Sequence, residues 1–224
     1  MSGETVVPSF LRIKLLSPAV VGVASSDPLD VDLEVTADAL GLPYLPRHRL
    51  AARLRDAADD VAVAFPDMAG AFHDLLGSSR RLTGTRMLHV GHGELPRSVQ
   101  AAAAHAVLSE AASTVDSDIP RPLAARIRAA YTEVLASTAR DDDGAPIPGT
   151  FRRIRAIRAG TVFAAPVAFR RGTVGADHRR ALALMCVALE QIGSGSSRGL
   201  GQIEASLDGD LEHTRDLAFG RSQT

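Results

Sequence analysis

Near the start of the chain, apolar side chains recur at every second position. In LRIKLL, Leu11, Ile13 and Leu15 share one face, which predicts a first strand. LDVDLEV alternates more cleanly. Leu29, Val31, Leu33 and Val35 fall on one face, and Asp30, Asp32 and Glu34 on the other. GLPYLP follows as a turn punctuated by Gly and Pro. From Arg47 the period lengthens. Leu50, Leu54, Ala57, Ala58 and Val61 keep helical spacing, with Arg49 and Arg53 one turn apart off the apolar stripe.

GSSRRLTGTR reads as a basic loop, and the Ala-rich RSVQAAAAHAVLSEAAS as a helix. PRPLAARIRAAYTEVLAS predicts a stronger one. Pro suits its first turn, and Leu123, Ile127, Tyr131, Val134 and Leu135 form one stripe. ARDDDGAPIPG is an exposed turn. In FRRIRAIRAG both faces of an extended chain carry Arg, at Arg152, Arg153, Arg155 and Arg158. That makes a poor half-buried strand and fits an exposed hairpin arm gripping an anion. TVFAAPVAF is a strand in which Pro166 marks an edge or a bulge. ADHRRALALMCVALEQI is a final helix burying Leu182, Met185, Cys186 and Leu189, and GQIEASL closes with a strand. Strands and helices mix without strict alternation, so the chain reads as α+β around a mainly antiparallel sheet.

Composition narrows the function classes. Hydrophobic residues make up 46% of the chain, enough for a core, but aromatics only 4%, with no Trp. That argues against a single-strand binder working by stacking bases on many rings. The net charge of −1 confines any nucleic-acid contact to local basic patches. Lys14 is the only lysine. Arg is the better fork for phosphate, though a genome rich in G and C gives the same bias. Cys186 is the only cysteine, which excludes an intrachain disulfide and a thiolate zinc site. MSGETVVPSF does not read as a signal peptide, and no apolar run is long enough to span a bilayer. A reducing, cytoplasmic setting without a membrane partner is the expectation.

IGSGSSRGLG, from Ile192 to Gly201, raises the question of what approaches its glycines. A dinucleotide fingerprint needs strand, glycines, then helix; here a helix enters and a strand leaves, and Gly199 comes one residue late. No Lys-Ser/Thr follows, so a P-loop fails too. A nucleotide-using enzyme is thus a remote reading, and no organic cofactor is expected. One alternative is a helix cap with Gly193 left-handed, followed by a tight turn. The other adds Arg198 and free backbone N–H groups facing a phosphate chain. HVGHG supplies His89 and His92, two metal ligands at most, so no metal site is expected there.

Three segments together resemble the RAMP superfamily of CRISPR-associated proteins. GLPYLPRHRLAARLR is similar to the G-x-P-Y-I-P-G-S-S-L-K-G-x-L-R signature, with Arg47, His48 and Arg49 standing where the family has G-S-S. ASTARDDDGAPIPGTFRRIRAIRAGTVF resembles its segment with an acidic turn and a final A-G-T-x-F. IGSGSSRGLGQIEASL resembles its C-terminal glycine-rich loop. The chain is similar to the backbone subunits of type III effector complexes.

The resemblance implies a modified RRM-like, ferredoxin-type antiparallel sheet with packed helices and an inserted thumb hairpin. A single domain over residues 1–207 is expected, with the thumb at about 136–160 and a loosely ordered tail over 208–224. The implied partners are a guide crRNA, a target RNA and other effector subunits, including neighbouring RAMP proteins. Arg47, Arg49 and Arg53 would then lie against guide phosphates, supported by Gly193, Gly195, Arg198, Gly199 and Gly201. Arg152, Arg153 and Arg155 would belong to the thumb between guide and target.

Family members that cut target RNA use an aspartate in the loop before the P-Y-I-P motif. Asp32 matches best, with Asp30 next. It would help activate the attacking 2′-hydroxyl or share Mg²⁺, or another divalent cation, with substrate phosphate. The alternative is a non-catalytic structural RNA-binding subunit, in which Asp30 and Glu34 are simply the wet face of a strand. His178, Arg179 and Arg180 open the last helix, where cations oppose the helix dipole; a bound phosphate would offset that.

Overall fold

The alternation at Leu11, Ile13 and Leu15 builds the central strand. In a computed structural model, which describes residues 7–24, 31–77, 86–113, 122–138, 141–170 and 173–220, β1 (Phe10–Leu15) buries those three side chains almost completely. β2 (Gly22–Ala24), β3 (Leu33–Val35) and α1 (Arg47–Ala64) follow. A 3-10 turn at Pro66–Met68 leads to α2 (Ala69–Leu76) and β4 (Leu88–Val90). Next come α3 (Arg97–Ser113), α4 (Leu123–Tyr131), β5 (Thr132–Ser137), β6 (Arg152–Ile157) and β7 (Val162–Phe169). The chain continues through α5 (Ala176–Ala188), β8 (Ile203–Leu207) and α6 (Leu211–Phe219).

The main sheet has the order β4-β7-β1-β8, with every neighbouring pair antiparallel. The register sets Ile13 opposite Phe163 on one side and Ala205 on the other, all three buried. α1 packs on α5, and α5 on β8. The expected period reaches the core: Leu50, Leu54, Ala57 and Ala58 of α1 are buried, as are Ala181 to Cys186 of α5. This is the RRM-like α+β arrangement expected. Burial also pushes the Cys186 thiol far above its ordinary range.

A second sheet, β2-β3-β6-β5, is formed by the segments between β1 and α1 and between α4 and β7. β5 and β6 make an antiparallel hairpin, with Thr132 opposite Ile157 and Ser137 opposite Arg152. β3 meets β6 in parallel at Leu33 and Ile154. Paired backbone bonds between Ala19 and Ile157 (2.9 and 2.8 Å) tie the hairpin base to the chain leaving β1.

Several expectations are corrected. The helix expected through Ser137 stops at Tyr131, and Thr132–Ser137 is strand. Helical spacing there competes with Thr and Val, which suit a strand, and with a cross-strand partner rich in Ile and Arg. The Thr132 hydroxyl donates to the Arg128 carbonyl (2.8 Å) as the helix ends. The strand expected from Leu29 begins only at Leu33; Leu29 and Asp30 lie outside the described residues. The helix expected to be the last, α5, is followed by α6; it ends at Ala188 and is capped at Leu189, so Gly193 is not its cap.

Pro166 sits in β7, a central strand, where the β4 ladder stops. The chain after Val90 swings around the ring, and a Cβ on Gly91 would meet its Cγ at 2.8 Å. From Asp208 to Gly220 the expected loose tail is instead tied down and carries α6, while residues 221–224 lie outside the described residues. Asp208 Oδ1 accepts the Ser9 and Phe10 amides (2.9 and 3.1 Å). Asp210 caps α6 by accepting from the His213 amide, and Thr214 and Ala218 are buried.

Candidate nucleic-acid interface

Each end of the glycine loop is met by the protein's own backbone. Ile192 donates to the Gly201 carbonyl (2.8 Å), Gly201 to Pro18 (2.8 Å) and Ser194 to Val20 (3.0 Å). Four of its glycines hold φ between 72° and 85°. A Cβ on Gly201 would sit 1.9 Å from the Ile192 carbonyl oxygen, and one on Gly193 2.4 Å from that of Val20. These two glycines are needed for close approach as well as for φ. A Cβ on Gly199 would meet nothing within 4 Å, and Ser196, Ser197, Arg198 and Gly199 are exposed. The base of the loop is thus internal architecture, and its tip is open to a ligand.

Helix α1 is joined to that loop. Arg53 Nη2 donates to the Gly193 carbonyl (2.9 Å), and Arg49 Nη2 to the Gly22 carbonyl (2.6 Å). Arg53 also meets Asp56 at 3.4 Å, an exposed pair of small worth. Arg49 and Arg53 therefore brace α1 against β2 and the loop. Arg47 has an exposed side chain, and its amide donates to His92 Nδ1 (3.3 Å). His92 in turn lies edge-on to Tyr44, with ring centroids 5.1 Å apart.

The hairpin arm divides into two parts. Arg152 and Arg153 are exposed, whereas Ala156 and Ile157 are fully buried. Arg155 is not an open cation. Its Nε lies 3.1 Å from Glu34 Oε1, and its side chain is only 11% exposed. Glu34 also meets Arg128 Nη1 at 3.6 Å and accepts the Val35 amide. Alternation made Glu34 a wet carboxylate; it is a half-buried hub joining β3, β6 and α4. Cross-strand register supplies that signal, and the sequence pattern does not reveal it.

Asp32 is exposed and stands just before β3. Its amide donates to the Arg153 carbonyl (2.8 Å), and its Oδ2 accepts the Arg153 amide (2.7 Å). Asp32 is thus fixed to the root of the arginine arm. Asp30 lies outside the described residues, as do Arg80 and Arg81 of the basic loop. Asp38 holds the Leu40 and Leu42 amides (2.9 Å each) and shapes the GLPYLP turn. The described residues contain no group of three His, Cys, Asp or Glu able to hold a metal. Asp32 therefore fits only a one-carboxylate share of a cation that RNA phosphates would complete.

The opening of α5 is also committed internally. His178 Nδ1 accepts the Gly175 amide (3.1 Å), and its Nε2 lies 3.3 Å from Asp74. Arg180 donates to the Ala218 carbonyl (3.2 Å) and stands 5.8 Å over the Phe65 ring. Sequence reasoning missed a basic cluster on the far flank of α1, where Arg86 and Arg170 join Arg47 around His89. Burial, then Arg170, Arg86 and Arg47, depress the basicity of that imidazole.

No family model matches the chain, and no curated protein matches it by sequence. Solved structures do match in fold. A chain of the type III-B Cmr-beta complex bound to cognate target RNA superposes with TM-score 0.64 at 12% identity, covering 95% of this chain and 99% of that one. A chain of the apo Cmr-beta complex gives 0.65 at 12% identity, over 91% and 98%. A chain of a type IV-B CRISPR complex gives 0.55 at 14% identity, over 95% and 99%. Among the described residues, no helix is long and apolar enough to cross a membrane. From end to end, the chain has the fold of chains found in type III-B and type IV-B CRISPR complexes, in keeping with its RAMP-like motifs.

Proposed function

We propose that this chain is a guide-RNA-binding backbone subunit of a type III CRISPR effector complex, and that it cuts bound target RNA through Asp32. The observation that carries the reading is the end-to-end likeness of fold to chains of a type III-B complex, one of them in a target-bound state. The exposed loop tip at Arg198 and Gly199 and the exposed cations Arg47, Arg152 and Arg153 support contact with RNA phosphates. Arg49 and Arg53 act in this reading as braces that set the angle between α1 and the loop.

For cleavage, Asp32 would accept the proton of the 2′-hydroxyl as its oxygen bonds to phosphorus and the P–O5′ bond breaks, the leaving 5′-oxygen taking a proton from water, or it would share a divalent cation with the scissile phosphate. Such a cation would neutralise charge developing on the phosphate oxygens. The second reading is a non-catalytic subunit with the same RNA contacts. The bond from the Arg153 amide to Asp32 favours it, because it gives this carboxylate a structural duty.

Fluorescence anisotropy of the full chain with labelled single-stranded RNA tests the binding reading. Affinity should vary little with sequence and fall linearly on a log–log plot against salt, by about 0.7 for each phosphate contact. Tight binding of NAD or ATP with no affinity for RNA would contradict it.

A further inference from the structure

Helix α1 separates two basic flanks. At 100° per residue, Arg49 and Arg53 look toward the glycine loop, while His48, Ala51 and Arg55 look toward the edge strand β4. The first flank carries the family-like motif, and there Arg49 and Arg53 each give one N–H to a backbone carbonyl. The second flank borders a groove of about 510 Å³. That volume is within the roughly 300–1,000 Å³ typical of ligand sites.

Arg47, His48, Arg55, Arg86, His89 and Arg170 line this groove, and among the described residues no carboxylate does. Arg55 is held by the Leu76 carbonyl (3.0 Å). Among the described residues, none of Arg47, Arg86 and Arg170 has an ion pair, and all three are exposed. They come from three separate places: the start of α1, the approach to β4 and the end of β7. Arg170 is held there by its amide, which donates to Met87 (2.7 Å). Ala51 and Ala52 leave the α1 wall low, so a bulky anion can approach the backbone. Convergent cations without counter-charge in a concave wall concentrate positive potential. His89, on β4 opposite Ala168, sits in that field.

We propose that the groove between α1 and β4 seats phosphates of a single-stranded RNA chain, as a site separate from the glycine-loop flank. The proposal rests on the RNA-binding reading and adds to it the residues Arg86, His89 and Arg170. The guanidinium groups of Arg47, Arg86 and Arg170 grip the phosphate oxygens. An anion seated among them offsets part of the cationic field that, after burial, lowers the basicity of His89. His89 then faces Arg47, His48 and Arg55 on α1, Arg86 before β4, Arg170 after β7, and the phosphates.

Two measurements on the full chain test this. The first compares wild type with R86Q/R170Q in binding a labelled oligouridylate. The variant is expected to bind at least about tenfold more weakly at low salt, with a log–log salt slope shallower by ~1.4 for two lost single-strand contacts. Both side chains are exposed, so the fold should hold, and circular dichroism checks it. The second follows the His89 ring protons by NMR while pH is varied. Oligouridylate should raise the His89 midpoint, and inorganic pyrophosphate should do so more weakly.

An unchanged slope in R86Q/R170Q overturns this site while leaving the RNA-binding reading intact. A His89 midpoint moved by pyrophosphate but not by RNA overturns the assignment to an RNA chain. Wild type that binds no RNA overturns both.

Discussion

Arg53 Nη2 donates to the carbonyl oxygen of Gly193 at 2.9 Å, joining two segments 140 residues apart. The bond links the helix after the GLPYLP turn to the glycine-rich loop, so the two RAMP-like motifs form one unit. It also explains Arg at a position where an exposed cation could have met RNA directly. Arg53→Ala should lower unfolding stability by about 1 kcal/mol, the scale of a charge-assisted bond discounted for partial exposure. Urea denaturation should show the change in midpoint with an unchanged m value, and a null effect would deny the brace.

The glycines of the loop should not be equivalent. Gly201→Ala must push a Cβ into the Ile192 carbonyl, 1.9 Å away, besides adopting φ +72°. Gly199→Ala adds only the left-handed φ, at about 1–2 kcal/mol. Thermal denaturation should therefore rank Gly201→Ala far below Gly199→Ala in stability. If RNA meets the loop tip, Gly199→Ala should weaken RNA binding more than its small stability loss would suggest. Equal melting temperatures for the two variants would contradict the geometry.

Glu34 holds Arg155 and Arg128 to one carboxylate whose side chain is 16% exposed. Glu34→Ala leaves Arg155 without that partner in a largely buried place. The cost should be about 2 kcal/mol, below the 3–5 of a fully buried broken pair. A double-mutant cycle with Arg155→Ala isolates the pair, and a coupling energy near zero would sink the assignment.

Asp32→Asn separates the two readings of the acidic segment. Asn keeps an oxygen for the Arg153 amide and removes the charge. If Asp32 is catalytic, the variant assembles and binds guide but loses target cleavage by about 100-fold or more. Cleavage at the wild-type rate would leave Asp32 with its structural duty alone.

The parts of the fold fixed by burial on one face were legible. Leu11, Ile13 and Leu15 announce β1, and Leu50, Leu54, Ala57 and Ala58 announce α1, because each periodicity has a single reading. Thr132 to Ser137 was not legible: Val134 and Leu135 extend a helical stripe, and only the partner strand Arg152–Ile157 decides otherwise. The same holds for the arginines. Sequence gives Arg49, Arg53 and Arg155 as cations, but their distant partners Gly22, Gly193 and Glu34 engage them internally. The groove around His89 was hidden for the converse reason. Arg86 ends the basic GSSRRLTGTR segment and Arg170 follows β7, and only the pairing of β4 with β7 brings them together.

The most direct measurement is of the RNA that travels with the protein. The chain should be expressed with its genomic neighbours, the complex purified, and any bound RNA sequenced. Repeat-derived guides of uniform length, retained through purification, are the expected result. A well-folded complex, or a lone chain, free of nucleic acid would contradict the guide-binding role and leave the glycine loop as a turn closed by Ile192 and Gly201.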